Sequence, residues 1–486
     1  MSEDEPPVVF DYGPEDYRQA QWIADQLDGS WRFDHTQRAW FHWDGTRWAQ
    51  DKTGILRAKV AELAFHRIVD RADPPTGGLA KALPKLFNLA PLDRALEALS
   101  TFPKYATDGS DWDQVPHLLG CENGIVDLRH NRLVENPTPD MLVTKTTGRT
   151  FRPCAGPEEF AERAPRFMKF MGEVMSDDVS MVSFLLLWFG ASIFGFSPEQ
   201  RFLLMVGIGR NGKGVLKHSI MKAVGEYGAQ PDANVYMRSK LGGERSAGAR
   251  ADLMDLKGKR ITFFSEPEGN RFNEEMLKAH TGGDLITARA LYSNRVISWE
   301  PTHSITFLVN NAPEVEDLGP SMGARVMVAD FRERYDGDKE DKQLYVKLEK
   351  EADGVLSILC WAAQAWYESF EADGRGITMP PRVIEQSAAF MARGDQIAQF
   401  LSAAMVVEHG AETRSSIVYE RYLEWHARSD IEAEALSQTR FSLTLERRGF
   451  KRMKRMNANY VKGLRPKSAV EWADGHEEDE DEGDGG

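Results

Sequence analysis

Apolar positions recur at helical spacing over residues 17–27, 55–69 and 92–99, and each stretch predicts an amphipathic helix. Between the first two, RAWFHWDGTRWAQ alternates aromatic and polar residues on both sides of Asp44-Gly45, which predicts a β-hairpin. Trp40, Trp43 and Trp48 are expected to pack that small sheet rather than stack nucleobases. The segment LLGCENGIVDLRHNRL predicts a second hairpin with a turn near His130-Asn131. Residues 160–196 read as helices.

From residue 202 the pattern changes. The short apolar runs FLLMV (202–206), ITFF (261–264) and ITFLV (305–309) are separated by helical stretches. That alternation predicts a mostly parallel sheet covered by helices. Residues 341–372 return to helical spacing, and Pro380-Pro381 marks a boundary. Beyond 395, helices over 397–405 and 417–427 and a third capped by Ser437 precede two strands, FKRMKR and NYVKGL. Three helices followed by a β-hairpin is the order of a winged helix.

Length and composition narrow the picture. The 486 residues predict about three domains, and 42% hydrophobic with 28% charged residues suits globular cores. The longest apolar run, 181–196, is interrupted by Ser and Gly and is shorter than the roughly 20 residues that span a bilayer. It is expected to be a buried helix, with no membrane association. The acidic opening MSEDEPP lacks the basic and apolar regions of a signal peptide. Cys121, Cys154 and Cys360 are too sparse for a disulfide framework and fit a reducing, cytoplasmic setting. The last sixteen residues, 471–486, hold nine acids and no Lys or Arg; setting them aside takes the net charge from −15 to −6. Such a tail is expected to be disordered. Between Arg440 and Lys467, by contrast, ten Lys or Arg face one acid, Glu446. A basic module beside an acidic body is an electrostatic footprint for nucleic acid, with Arg440, Arg447, Arg448, Lys451 and Lys454 as candidate contacts.

The sharpest chemical signal is FLLMVGIGRNGKGVLKHSIMKAV. Gly207-x4-Gly212-Lys213 matches the P-loop up to its last position, between an apolar strand and a helix. Gly207, Ile208, Gly209, Arg210, Asn211, Gly212, Lys213, Gly214 and Val215 are the candidate cradle for ATP. Glycines let successive N–H groups turn on phosphate oxygens, and the helix N-terminus adds positive potential. The usual Ser/Thr is here Gly214, so no hydroxyl at that position holds Mg²⁺. The strand at 261–264 runs into Ser265-Glu266-Pro267-Glu268. Glu266, and after it Glu268, is placed to orient Mg²⁺ through water and polarise an attacking water. The strand at 305–309 ends in Asn310, which is suited to hold that water or sense the γ-phosphate, and Arg325 precedes another apolar run. An arginine there can act in trans on a neighbour's nucleotide. The insert LKAHTGGDLITARALYSNRVISWEP reads as a helix ending near Gly282-Gly283 and two strands. Lys278, Arg289 and Arg295, with Tyr292 at the turn, are suited to grip a DNA backbone and stack on a base.

GIGRNGKG, the strand ending SEPE, LKAHTGGDLITAR, the strand ending VNNAP and the later GARV occur in the order seen in superfamily 3 DNA helicases. The chain resembles the phage, plasmid and poxvirus-type primase–helicase family over roughly residues 50–470. The resemblance implies an AAA+-like core that assembles as a ring, a hexamer, with ATP between subunits and 3′ to 5′ movement on single-stranded or forked DNA. It casts Lys213 as the Walker A lysine, Glu266 as the Walker B acid, Asn310 as sensor 1, Arg325 as the arginine finger and the turn around Tyr292–Arg295 as a pore loop. It implies a helicase-associated region over 1–150, a helical collar over 151–200, the ATPase core over 201–345 and a helical linker over 346–390. A winged-helix-like domain over 391–468 and the acidic tail complete the expected order. Asp111 and Asp113 form an Asp-x-Asp; they are expected to be structural, and no primer synthesis is expected. The expected activity is replicative unwinding with further replication proteins as possible partners; an ATP-regulated origin-binding initiator and a packaging ATPase are the alternatives.

Overall fold

The computed structural model describes residues 15–71, 73–196, 198–238, 251–267, 271–289, 296–313, 315, 320–337, 340–374, 376–393, 395–429, 435–455, 458–468 and 471. Glu268, Tyr292, Arg295 and the acidic tail beyond 471 lie outside them.

The first helix, Glu15–Gln26, packs its buried Ala20 and Ile23 against Leu89–Leu99. Beside them, Ala39–Trp43 and Trp48–Gln50 form the expected antiparallel hairpin. Trp31–Asp34, a strand too short for alternation to reveal, pairs with its other edge. Trp31, Trp48 and Trp112 are buried, and the Trp48 indole N–H donates to the Pro139 carbonyl at 2.8 Å, so these rings are core. Leu118–Cys121, Gly124–Asp127 and Arg132–Leu133 make a three-stranded sheet. The expected turn near His130-Asn131 joins the last two strands, and a tighter one at Glu122-Asn123 joins the first two. Asp113 accepts from the Thr144 N–H at 2.8 Å and from the Lys145 ammonium at 2.7 Å. Burial opposes its charge, but Lys145 and Thr144 hold its carboxyl below the usual range. Its oxygens therefore serve the fold.

Two helices follow, α1 (Pro165–Val174) and α2 (Val179–Ile193). Asp178 caps α2 by accepting from the N–H groups of Ser180 and Met181 at 3.0 and 3.2 Å. Among the described residues no single helix is long and apolar enough to cross a membrane; α1 and α2 reach that length only across a 118° bend. Most apolar side chains of α2 are buried in the largest core cluster, as its sequence leads one to expect, while Val179 at its start is exposed. All three cysteines are buried and unbridged.

The sheet that organises the molecule is wholly parallel. Its strands are β1 (Phe202–Val206), β2 (Gly228–Ala229), β3 (Ile261–Ser265), β6 (Ser304–Val309) and β7 (Val326–Asp330), in the order β7-β1-β6-β3-β2. The intervening β4 (Ile286–Arg289) and β5 (Val296–Trp299) form a separate antiparallel ribbon. Four of the five strands are nearly continuous apolar runs, as burial on both faces demands. Helix α3 (Lys213–Val224) follows β1, and α4 (Glu274–Gly282) precedes the ribbon. Beyond β7 come α5 (Leu344–Glu349), α6 (Ala352–Asp373), which packs on α2 and α3, and α7 (Pro381–Arg393), which packs on β7.

The C-terminal unit runs α8 (Gln396–Ala404), β8 (Met405–Arg414), α9 (Ser415–Arg428), α10 (Gln438–Arg447), β9 (Arg452–Arg455) and β10 (Ala458–Pro466). Phe400, Tyr422, Phe441 and Leu464 form its core. The sequence pattern anticipates every element except β8. That strand is a largely exposed edge whose register shifts between Val407 and Glu412, so it carries no clean alternation.

Candidate functional site

The C-terminal ends of β1, β3 and β6 lie side by side in the sheet, so whatever follows each strand meets its neighbours there. After β1 comes the glycine-rich loop. Two of its glycines are required by space. A Cβ on Gly207 would lie 2.2 Å from the Asn211 amide nitrogen and 2.5 Å from the Phe331 carbonyl oxygen. Gly212 caps α3 at φ 90°, and a Cβ there would meet Val174 at 2.5 Å. The loop is pinned from outside: the Tyr335 N–H donates to the Arg210 carbonyl at 2.8 Å, and the Asn211 amide donates to Phe331 at 3.4 Å.

Between the loop and the two neighbouring strand ends lies a cavity of about 430 Å³. Residues 209–215 line it, together with Lys217, Ser265, Glu266, Leu308, Asn310 and Tyr345. The Asn310 amide donates to Glu266 Oε1 at 3.1 Å, and its oxygen accepts from the Gly209 N–H at 3.3 Å. Asn310 thus ties the acid of one strand to the loop of another. Glu266 itself sits at φ 46° and Arg210 at φ 58°, a left-handed conformation that costs energy for residues with a Cβ and is often found at functional sites.

Lys213 is buried, and its ammonium donates to the Gly207 carbonyl and to Asn211 Oδ1. Burial lowers its pKa to about 8, against an opposing pull from Glu266. Lys217, one turn further along α3, donates to Gln230 Oε1 at 3.0 Å and Ser265 Oγ at 3.3 Å. Burial also pushes it below the usual lysine range. Two partly desolvated lysines, the start of a helix and one carboxylate suit a polyanion accompanied by a cation. Ile208, at the loop tip, is 78% exposed and does not line the cavity.

Lys213, Glu266 and Asn310, expected from sequence to act together, are therefore brought to one cavity. Arg325 is not. It precedes β7, the strand beside β1, at the N-terminal end of the sheet, where its carbonyl accepts from the Phe202 N–H at the start of β1. Its guanidinium is held by Ser321 at 2.8 and 2.9 Å. Lys278 lies on α4 and Arg289 ends β4, while Tyr292 and Arg295 lie outside the described residues. In the C-terminal unit Arg440, Arg447, Lys451 and Lys454 are exposed, whereas Arg448 pairs with Asp395. Sequence reasoning missed Lys217, Ser265 and Tyr345. Lys217 had a usable signal, helical spacing of four from Lys213; Tyr345 arrives from a distant helix with no local pattern.

Residues 20–176 match a family model described as "D5 N terminal like". The chain is 23% identical over 333 residues to a protein of Acanthamoeba polyphaga mimivirus that bears the name "Putative helicase". The aligned region is 65% of this chain and 33% of that relative, so the chain spans about a third of the viral protein's length. Among solved structures, the apo C-terminal region (305–718) of NrS-1 is similar at a TM-score of 0.49 and 11% identity, covering 93% of this chain and 100% of that one. An A form of the same region is similar at 0.48 and 12%, covering 92% and 100%.

Proposed function

We propose that the chain is an ATP-dependent DNA helicase of phage or viral replication, with residues 201–345 as an AAA+-like P-loop core of the superfamily 3 kind. The observation that carries this reading is the meeting of Lys213, Glu266 and Asn310 on one cavity at the C-terminal ends of adjacent parallel strands. Phosphoryl transfer needs positioning and charge stabilisation more than covalent chemistry, and these residues offer both. The loop N–H groups and Lys213 bind the phosphates, Glu266 polarises the attacking water, and Asn310 orients Glu266 toward it.

The donor set fits Mg²⁺ in part: Glu266 is exposed to the cavity and Ser265 adjoins it, while Gly214 supplies no hydroxyl. When bound, the ion would neutralise charge developing on the phosphates.

Arg325, at the N-terminal end of the sheet while its own cavity lies at the C-terminal end, supports a shared site in which each subunit completes its neighbour's. We take the assembly to be a ring, with six subunits as the working number, moving 3′ to 5′ on single-stranded or forked DNA in the host cytoplasm. The ribbon β4–β5 would carry the DNA-gripping turn. The helix–strand–helix–helix–strand–strand order and exposed basic residues of the C-terminal unit support a winged helix that contacts duplex DNA. That last feature suits an origin-binding initiator equally, and unwinding separates the two. Wild-type protein is expected to displace the labelled strand of a forked duplex with ATP. Lys213→Ala is expected to weaken ATP affinity about ten- to a hundredfold, the worth of a charge-assisted hydrogen bond, and to abolish displacement. ATP turnover persisting in Lys213→Ala would overturn the site; origin binding without displacement by the wild type would favour the initiator.

A further inference from the structure

We infer that the Tyr345 hydroxyl replaces the hydroxyl that position 214 lacks, holding a water of the divalent cation's shell beside the polyphosphate. This deepens the nucleotide reading of the same cavity and rests on it. Gly214 is the second residue of α3, and its neighbours Lys213 and Val215 line the cavity with it. A Cβ built on Gly214 has one neighbour within 4 Å, the Tyr345 hydroxyl oxygen at 3.7 Å. The space that a Ser or Thr would fill is therefore free and bordered by a phenol.

The ring is positioned by the very helix that lacks the hydroxyl. His218, one turn beyond Gly214, meets the Tyr345 ring edge-on at 5.0 Å and 87°. At the other end of α5, Glu349 accepts from the Lys222 ammonium of α3 at 2.7 Å. These two contacts lock α5 along α3, while Tyr345 stays 46% exposed and lines the cavity. Mg²⁺ keeps several of its waters in most protein sites, so a hydroxyl set back from the helix can serve through one of them. Ring packing alone would leave the hydroxyl idle, and a base platform would use the ring face rather than the oxygen.

The test is ATP affinity by titration calorimetry, with Mg²⁺ and with EDTA, on the full chain. In the wild type Mg²⁺ tightens binding. Tyr345→Phe is expected to lose about tenfold or more of that gain, the size of one hydrogen bond to a charged group, with affinity in EDTA unchanged. Adding Gly214→Ser to Tyr345→Phe is expected to restore the gain, whereas Gly214→Ser alone adds little. Tyr345→Phe that keeps the full Mg²⁺ effect overturns the inference. So does a Tyr345→Phe, Gly214→Ser protein that binds ATP normally in EDTA yet stays deaf to Mg²⁺. Loss of affinity in both conditions in Tyr345→Ala, with Tyr345→Phe unaffected, would assign the ring to the base instead. Wild-type protein that binds no ATP would sink the nucleotide reading itself, a different outcome from all of these.

Discussion

Lys213 carries its charge in a place that resists it. Its pKa falls from 10.5 in a free lysine to about 8 because burial outweighs the pull of Glu266. Between about pH 8 and 10.5 the unfolded chain holds a proton that the folded chain has given up, so this group's contribution to stability rises with pH across that window. A bound polyphosphate reverses the bias by favouring the ammonium. ATP binding near pH 8 is therefore expected to take up part of a proton, and affinity to fall as pH rises above about 8. Calorimetry in buffers of different ionisation enthalpy measures the uptake directly, and net proton release would contradict the geometry. The lysine was legible in the sequence because a P-loop's parts are contiguous: glycines, lysine and helix follow one another. Tyr345 was not, because it reaches the cavity through tertiary packing from a distant helix. Arg325 could be named from its place before an apolar run, yet no linear pattern reveals that it lies at the end of the sheet opposite the loop.

Elements were legible where burial leaves a strong imprint. β1, β3 and β6 appear as unbroken apolar runs with nearly the observed ends, and the helices at 55–69 and 274–282 follow their spacing. β8 and Trp31–Asp34 escaped notice, one because an exposed edge needs no alternation and the other because four residues show none. The contact between α2 and α6 has a demand no period shows. A Cβ on Gly190 would lie 2.6 Å from Ala362 Cβ and 2.7 Å from its carbonyl carbon. Gly190→Ala gains about 1 kcal/mol of helix propensity, while forcing two packed helices apart costs about 1–3 kcal/mol. The variant is expected to be net destabilised, with a lower midpoint in urea unfolding. An unchanged or raised midpoint would mean that α2 and α6 separate freely.

For the molecule as a whole, the proposed shared site would make activity a property of pairs, since Arg325 lies apart from its own cavity. A ring of Arg325→Ala subunits and a ring of Glu266→Gln subunits are each expected to hydrolyse ATP poorly. Mixing them creates some interfaces with an intact arginine on one side and an intact acid on the other, and about a quarter of wild-type turnover is expected if subunits mix evenly and act independently. No recovery at any mixing ratio would place the arginine's partner within its own chain.

Arg260 stands at the head of β3, the strand that ends in Glu266. Its buried guanidinium lies over the Tyr227 ring at 4.6 Å and donates at 2.7 Å to the carbonyls of Leu118 and Ile193. A cation anchored on three sides cannot travel without leaving carbonyls bare in a dry interior. The strand is thus bolted at its base, and its carboxylate tip may swing only as far as that fixture allows. Any stroke driven by the proposed hydrolysis would come from pieces hung on the sheet, while the beam carrying the acid keeps its length and its footing.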